Sequence, residues 1–425
     1  MRASFFVTGI VVFFSWLAAA LLSQSIGQSS SQTSAVWLAT GVTFGALLVA
    51  RSAKWPAIVI GAAAATITMG LFDGQGVLAS LAFGANEAVS ATLGAWVARQ
   101  LRTPSPGSQG DPVKAYSSFL LGAVVTAALG GSVAIGIWSL TVPDALLAVE
   151  WRVWLCTTFV GIILVAPLII SFASFRPKRS GGMATSRFVT GGVTYLLFFV
   201  VAALLFSSDV SDRFSASLGP TLTYLPLPFI VVTAMLWKDK GASLATLLGA
   251  IALIVWTNSG GGPFAEIEGF VGEAVIEVQG YVAAMAMMVG FVTALGALGE
   301  QALAQAQTWR TRYRQVLESS RTVAGNFDAV TGLVEWTEGS DALLRTDVAA
   351  LPTIHKVISH ADPLQQTAFL ADWTALAQGQ LDHAAWQTAL HWNNGNAVKV
   401  KVRLSSVRGG DGQVEQVVAL FEVEA

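Results

Sequence analysis

The chain has 425 residues, of which 54% are hydrophobic and only 12% charged, and its mean hydropathy is +0.62. Soluble globular proteins carry about 25% charged residues, so this composition excludes an ordinary soluble protein and indicates a membrane protein. The net charge of −2 gives no electrostatic reason to expect a nucleic-acid partner. A single cysteine, Cys156, excludes an internal disulfide framework, and we predict no metal site.

The charged residues divide the chain into two parts. Residues 1–299 contain 14 Lys and Arg and 12 Asp and Glu residues, about 9% of that part, whereas residues 300–425 contain 10 and 14, about 19%. We therefore predict a polytopic α-helical membrane domain over 1–299, a helical or coiled-coil linker over 300–320, and a small soluble domain over 321–425.

Apolar runs near 20 residues long predict the membrane spans. About ten such runs precede residue 300: 4–22, 35–50, 56–72, 77–98, 117–139, 152–173, 188–206, 221–237, 242–257 and 278–298. With the N-terminus in the cytoplasm, 12 Lys and Arg residues flank these spans on the cytoplasmic side and only Arg152 and Arg213 on the other. Ten spans then return the C-terminus to the cytoplasm, and the lipid bilayer surrounds the first domain.

Asn86 and Glu87 are polar residues in the middle of the fourth predicted span. An ionisable side chain within a span is costly unless it is paired or hydrated, so it usually faces the interior of the helix bundle. Two interpretations stay open: both side chains line a ligand or ion site, or both only bind neighbouring helices. Trp37 and Gly41, at the start of the second run, join the candidate ligand site, although an interfacial aromatic residue and a close helix contact explain them equally.

Residues 300–320 contain neither glycine nor proline. Leu303, Arg310, Tyr313 and Leu317, together with Ala306, follow each other at alternating spacings of three and four residues. This spacing is typical of a short coiled-coil seam that relays a signal between two copies of a helix. A solvated helix that only separates two domains is the alternative. One helix over 278–317 would be about 60 Å long at 1.5 Å per residue.

The C-terminal part predicts an α+β domain with an antiparallel sheet. Two short strands flank a turn within 325–339, and a helix is expected over 352–378. Three alternating strands follow, joined by an Asn-Gly turn at 394–395 and a Gly-Gly-Asp-Gly turn at 409–412. The predicted order is therefore β-β-α-β-β-β.

This part resembles a PAS domain. The resemblance covers 321–425 and rests on the segments "GNFDAVTGLVEWTEG" and "ISHADP" and on the three closing strands. It implies a candidate ligand pocket at Phe327, Trp336 and His360. We predict no cofactor, with haem as the alternative because the domain contains all four histidines and histidine is the usual axial ligand.

The membrane part resembles the MASE family of bacterial membrane sensor domains, first type. The segments that carry this resemblance are "VWLATGVTFGALLVARSAKWPAIVIGAA" at 36–63, "GANEAVSATLGAWVARQL" at 84–101 and "WLCTTFVGIILVAPLI" at 154–169. Family members often have an acidic residue three places before Gly161, where this chain has Thr158. The resemblance implies a sensory protein of the bacterial inner membrane. In this family the membrane domain precedes a PAS domain, a histidine kinase, a cyclase or a phosphodiesterase.

The sequence contains no kinase, cyclase or phosphodiesterase motif, so we do not expect an enzyme. The first hypothesis is a homodimeric sensor that detects an unknown small-molecule or membrane signal and relays it through a helix to the PAS-like domain. A separate kinase or cyclase would then supply the output. The alternative is a membrane transporter or channel with a regulatory cytoplasmic domain, since an ionisable residue within a span also fits a transport pathway.

Overall fold

The structure is a computed structural model. It describes residues 2–26, 34–102, 110–140, 147–173, 183–207, 222–264, 273–337, 339–392, 397–410 and 412–424. The predicted Asn-Gly turn at 394–395 lies outside these ranges, as do four of the basic residues used to predict orientation, Arg176, Lys178, Arg179 and Arg213. The chain divides into two compact units, Met1–Glu300 and Gln301–Ala425, which we call the membrane unit and the sheet unit.

Nine α-helices precede the first strand in the described ranges. They are α1 (Arg2–Ile26), α2 (Leu38–Val49), α3 (Trp55–Phe72), α4 (Val77–Arg102), α5 (Pro112–Ser139), α6 (Leu147–Phe172), α7 (Thr185–Phe206), α8 (Leu227–Asn258) and α9 (Glu273–Ser319). Each of the ten predicted apolar runs overlaps one of these helices. Runs of about 20 apolar residues form helices because, in lipid, only a helix satisfies all backbone hydrogen bonds within one segment.

Seven of the described helices are long and apolar enough to cross a membrane, so the predicted count of ten spans is not confirmed. Three elements account for the difference. Helix α2 has only 12 residues, about 18 Å against a hydrocarbon core of about 30 Å. Helix α4 has 26 residues, but polar and charged side chains such as Asn86, Glu87 and Arg99 interrupt its apolar sequence. The eighth and ninth runs together form the single helix α8.

Helix α8 is broken at Lys238, which has φ 55° and ψ −164° inside an otherwise helical segment. Positive φ is unfavourable for a residue with a Cβ atom, so Lys238 marks a kink where the sequence predicted a turn between two spans. The Lys238 ammonium lies 2.6 Å from the Glu300 carboxylate at the end of the membrane unit, and both side chains are more than half exposed. Exposed pairs of this kind contribute about 1 kcal/mol or less.

Helix α2 lies in the interior of the membrane unit, where nine of its 12 residues are buried. It packs against α1, α3, α4 and α6. A helix too short to cross the bilayer is tolerated here because protein rather than lipid surrounds most of its residues. The backbone of 34–37, which precedes α2, is not helical and is also largely buried.

The sheet unit contains five antiparallel strands in the order β2-β1-β5-β4-β3, which confirms the predicted small antiparallel sheet. The strands are β1 (Thr322–Asp328), β2 (Val334–Trp336), β3 (His383–His391), β4 (Ala397–Arg408) and β5 (Val414–Val423). Strand β4 alternates buried and exposed residues over 397–404, as expected where one face of a sheet covers a core.

The helix predicted over 352–378 is instead two helices, α11 (Ile354–Ile358) and α12 (Gln366–Ala377), which follow the short α10 (Ser340–Leu344). Pro363 lies between them, and the residue before a proline is disfavoured in a helix. The Asp362 carboxylate accepts a hydrogen bond from the Leu364 N–H at 3.0 Å, a local turn that competes with the helix.

The turn between β1 and β2 depends on the carboxylate of Asp328. Its Oδ1 accepts hydrogen bonds from the Thr331 N–H at 2.6 Å, the Thr331 hydroxyl at 2.8 Å and the Val330 N–H at 3.0 Å. These bonds, led by that of the Thr331 N–H, hold the pKa of Asp328 below its ordinary value. The resulting stability is present above the ordinary carboxyl pKa and is lost as the pH falls through it toward the lowered value.

We expect Asp328→Asn, which keeps an acceptor without the charge, to weaken the dependence of sheet-unit stability on pH between about 1 and 5. Hydrogen exchange of residues 322–336 in the full chain measures this dependence. Asp328→Ala removes the acceptor itself and should therefore increase exchange at every pH. Equal pH dependence in the parent chain and Asp328→Asn would contradict the role of the ionised carboxylate.

Candidate functional site

Glu87 lies on α4 inside the membrane unit, with only 8% of its surface exposed. Its carboxylate accepts three hydrogen bonds from side chains of two other helices. Oε1 accepts from the Thr43 hydroxyl at 2.7 Å and from the Trp16 indole N–H at 3.2 Å, and Oε2 accepts from the Thr40 hydroxyl at 2.8 Å. We call Glu87 with these three donors the carboxylate cluster.

The helices position the donors for simple geometric reasons. Thr40 and Thr43 are three residues apart on α2 and therefore lie on one face, next to α4. Trp16 comes from α1, and its ring meets that of Trp37 edge to face with centroids 5.8 Å apart. Trp37 precedes α2 directly, so this ring contact and the threonine hydrogen bonds place the first turns of α2 against α1 and α4.

The cluster joins a carboxylate to neutral donors in an apolar surrounding. Among the described residues, no Lys, Arg or His forms an ion pair with Glu87, and its partners are hydroxyl and indole groups. Threonine hydroxyls can rotate and can also accept a hydrogen bond. The carboxylate can therefore bind a proton, or the hydrogen-bond donor of a ligand, by exchanging the threonine partners.

Asn86 is placed differently from Glu87. Its amide donates to the backbone carbonyl of Gly130 on α5 at 2.9 Å. Adjacent residues on a helix point about 100° apart, so the two polar side chains contact different neighbours. The structure gives Asn86 the contact with a neighbouring helix that was one of its two predicted interpretations.

Gly41 lies where α2 crosses α6. A Cβ atom on Gly41 would lie 2.5 Å from the carbonyl oxygen of Gly161, and a Cβ atom on Gly161 would overlap the carbonyl group of Trp37. The two glycines therefore allow the backbones to approach closely, as small residues do in membrane helix pairs. Trp37 and Gly41 stand next to the carboxylate cluster rather than inside it.

Sequence reasoning identified Glu87 but missed its partners. Trp16, Thr40 and Thr43 lie 71, 47 and 44 residues away along the chain. It also missed Arg99, whose guanidinium donates to the carbonyls of Leu47 and Leu48 and of Ala50 at the end of α2. Helix α4 thus holds both ends of α2, through Glu87 and through Arg99. The one sequence signal for this role was the position of Arg99 at the end of the predicted span that also contains Asn86 and Glu87.

The predicted relay residues divide into two groups on α9. Leu303, Arg310 and Tyr313 are exposed, whereas Leu317 is only 8% exposed. Leu317 therefore does not share one free face with the other three. The exposed apolar side chains that follow heptad spacing on this helix are Trp309, Tyr313 and Val316, with exposures of 66%, 48% and 63%.

The three residues of the candidate pocket in the sheet unit are not all brought together. Phe327 is completely buried, and its ring lies 5.9 Å from that of Trp336 and 5.7 Å from that of Trp373. His360 instead contacts the ring of Trp392 at 5.2 Å. Aromatic side chains thus fill the core beside Phe327. Among the described residues, no group of three or more His, Cys, Asp or Glu side chains could hold a metal ion.

Comparison with known proteins agrees with the architecture of the membrane unit. The MASE1 family, a membrane sensor domain, matches residues 8–300, more than half of the chain. No curated protein matches the chain. One similar solved structure is a domain of a protein from Haloarcula marismortui described as a putative light and redox sensing histidine kinase. That similarity has 14% identity, covers 27% of this chain and 99% of that chain, and has a TM-score of 0.23.

Proposed function

The chain belongs to the MASE1 family of membrane sensor domains, and from this premise we propose that it is a sensory protein of the bacterial inner membrane. A signal is detected in the membrane unit and transmitted along α9 to the sheet unit. The observation that carries this proposal is the continuity of α9, a single helix of 47 residues that begins at Glu273 and ends at Ser319. Both termini are in the cytoplasm in this proposal.

The carboxylate cluster is the proposed sensing site. It is buried, joins three helices and contains an ionisable group, and intramembrane ionisable residues commonly belong to binding sites or proton pathways. A signal can act only if it binds two states of the protein with different affinity. In one state Thr40 and Thr43 donate to Glu87, and in the other a proton or a ligand replaces these partners. The two states differ in how α2 is attached to α4.

The sheet unit is proposed to be a PAS domain without catalytic activity. The strand order β2-β1-β5-β4-β3 and the helices between β2 and β3 support this assignment. We propose no cofactor for it, since Phe327, Trp336 and Trp373 occupy its interior. A separate kinase or cyclase would then read the state of the domain.

The proposed active form is a homodimer joined along α9. Ala302, Ala306, Trp309, Tyr313 and Val316 follow each other at spacings of four and three residues, which forms a coiled-coil seam. This seam replaces the one predicted through Leu303, Arg310 and Leu317, because Leu317 is buried within its own chain.

Insertions into α9 test the relay. We expect Glu87→Gln to change hydrogen exchange of residues 322–424 in the full chain, reconstituted in lipid nanodiscs. Two residues inserted after Gln305 rotate the following helix by about 200° and should abolish this response. Seven inserted residues restore nearly the original direction and should preserve it. A response that survives both insertions would contradict transmission by a helix.

A transporter or channel is the second candidate, and the short helix α2 is the observation that favours it. Interrupted helices that end inside the membrane often build substrate sites in transporters. Proton flux into proteoliposomes, followed with an internal pH-sensitive dye, tests this candidate. Flux that depends on Glu87 and disappears in Glu87→Ala would favour transport over sensing.

A further inference from the structure

Gln279 lies in the first turns of α9 and is completely buried. Its side-chain amide nitrogen donates to the backbone carbonyl of Ala35 at 2.8 Å and to the hydroxyl of Thr157 at 2.8 Å. One side chain of α9 therefore contacts both α6 and the segment that precedes α2. These contacts lie entirely within the membrane unit.

The non-helical segment 34–37 is held at several points by this group of residues. The Thr157 hydroxyl donates to the carbonyl of Ser34 at 3.2 Å, and the Trp37 N–H donates to the carbonyl of Thr157 at 3.2 Å. The Leu38 N–H at the start of α2 donates to the hydroxyl of Ser23 at 2.9 Å. Without these partners, the polar groups of an irregular buried backbone would be unsatisfied, at a cost of about 1–3 kcal/mol each.

A short path of contacts thus leads from the carboxylate cluster to α9. Thr40 and Thr43 bind Glu87 from the first two turns of α2. Gln279 binds Ala35, which lies five residues before Thr40. A shift of α2 along its axis or about it would displace segment 34–37 and, with it, the partner of Gln279.

We propose that Gln279 is the positioning residue that couples the carboxylate cluster to α9. This inference rests on the proposed sensory function and specifies where the signal enters the helix that leaves the membrane unit. Gln279 does not touch the signal; it fixes the position of α9 relative to α2. The hydrogen bond from the Trp37 N–H to the carbonyl of Thr157 joins the same segment to α6, and Gln279 binds the Thr157 side chain as well.

A substitution of Gln279 can remove the proposed coupling while leaving the stability of the membrane unit nearly unchanged. Its side-chain oxygen is buried and has no hydrogen-bond partner among the described residues. Gln279→Met has nearly the same shape; it removes this unpaired acceptor and leaves the Ala35 carbonyl unpaired in its place. The thermal midpoint should therefore change by no more than about 3 °C, whereas the coupling should disappear.

The experiment measures hydrogen exchange of two regions of the full chain in nanodiscs, residues 280–300 of α9 and residues 322–424. In the parent background, we expect Glu87→Gln to raise exchange in 280–300 by about threefold, the change that accompanies loss of one average interhelical hydrogen bond. In the Gln279→Met background, the same substitution should leave exchange in 280–300 unchanged. Met285→Leu, at another fully buried position on α9, is the matched control and should retain the response.

Thr43→Val replaces Glu87→Gln if that variant does not fold, because it also removes a partner of the carboxylate cluster. A response in 280–300 that is equal with and without Gln279→Met overturns the inference, as does no response in the parent background. A response in 280–300 that requires Gln279 supports it, whatever happens in the sheet unit. If 322–424 then fail to respond, the coupling stands and the proposed sensory function fails.

Discussion

Replacing Glu87 with alanine should lower the free energy of unfolding of the membrane unit by about 2 kcal/mol, because three interhelical hydrogen bonds of about 0.6 kcal/mol each are lost. The three donors come from α1 and α2, so both helices lose their hydrogen bonds to Glu87, and α2 keeps its attachment to α4 through Arg99. The loss should be visible as a lower midpoint of unfolding in a detergent or denaturant titration. We also expect a lower yield of folded protein in the membrane.

Two variants make this measurement specific. Asn86→Ala removes one hydrogen bond at the neighbouring position and should cost about a third as much. Glu87→Gln retains one acceptor and a similar volume, so it should fall between the two. If Asn86→Ala and Glu87→Ala shift the midpoint equally, the carboxylate cluster has no special role in holding α2, and the proposed sensing site loses its structural basis.

Hydropathy located the helices because apolar length is a local property of the chain. Hydropathy could not give the number of spans. The apolar run that contains α2 looked like a tilted span, and the charged residues around Lys238 looked like a loop between two spans. Glu87 was conspicuous as a charge within an apolar run. Its partners were not, since Thr40 and Thr43 are ordinary residues of membrane helices until the fold brings them to a carboxylate.

The sheet unit shows the same division between local and tertiary information. Alternation in β4 and the glycine turn after it predicted strands correctly, because both features depend on neighbouring residues. The phase of the proposed seam on α9 could not be predicted from the local sequence. Leu303 and Leu317 are as apolar as Trp309 and Val316, and only the fold shows that Leu317 is already buried.

Gly161→Ala should destabilise the membrane unit by about 1–3 kcal/mol, the usual cost of adding a methyl group to a tightly packed site. The added Cβ would overlap the backbone carbonyl of Trp37, and a backbone group cannot move aside by changing rotamer. Helices α2 and α6 must separate instead. Because Thr40 and Thr43 belong to α2, we also expect the response of the sheet unit to Glu87→Gln to weaken.

Gly136→Ala on α5 is the matched control, since a Cβ atom there would meet nothing within 4 Å and the variant should unfold at or above the parent midpoint. Gly41→Ala tests the same contact from the other side, because its Cβ would meet the carbonyl oxygen of Gly161. The two substitutions affect one crossing, so their combined cost should be smaller than the sum of the single costs. Additive costs would show that the glycines act at separate sites, and the close approach of α2 and α6 would not then determine where the carboxylate cluster forms.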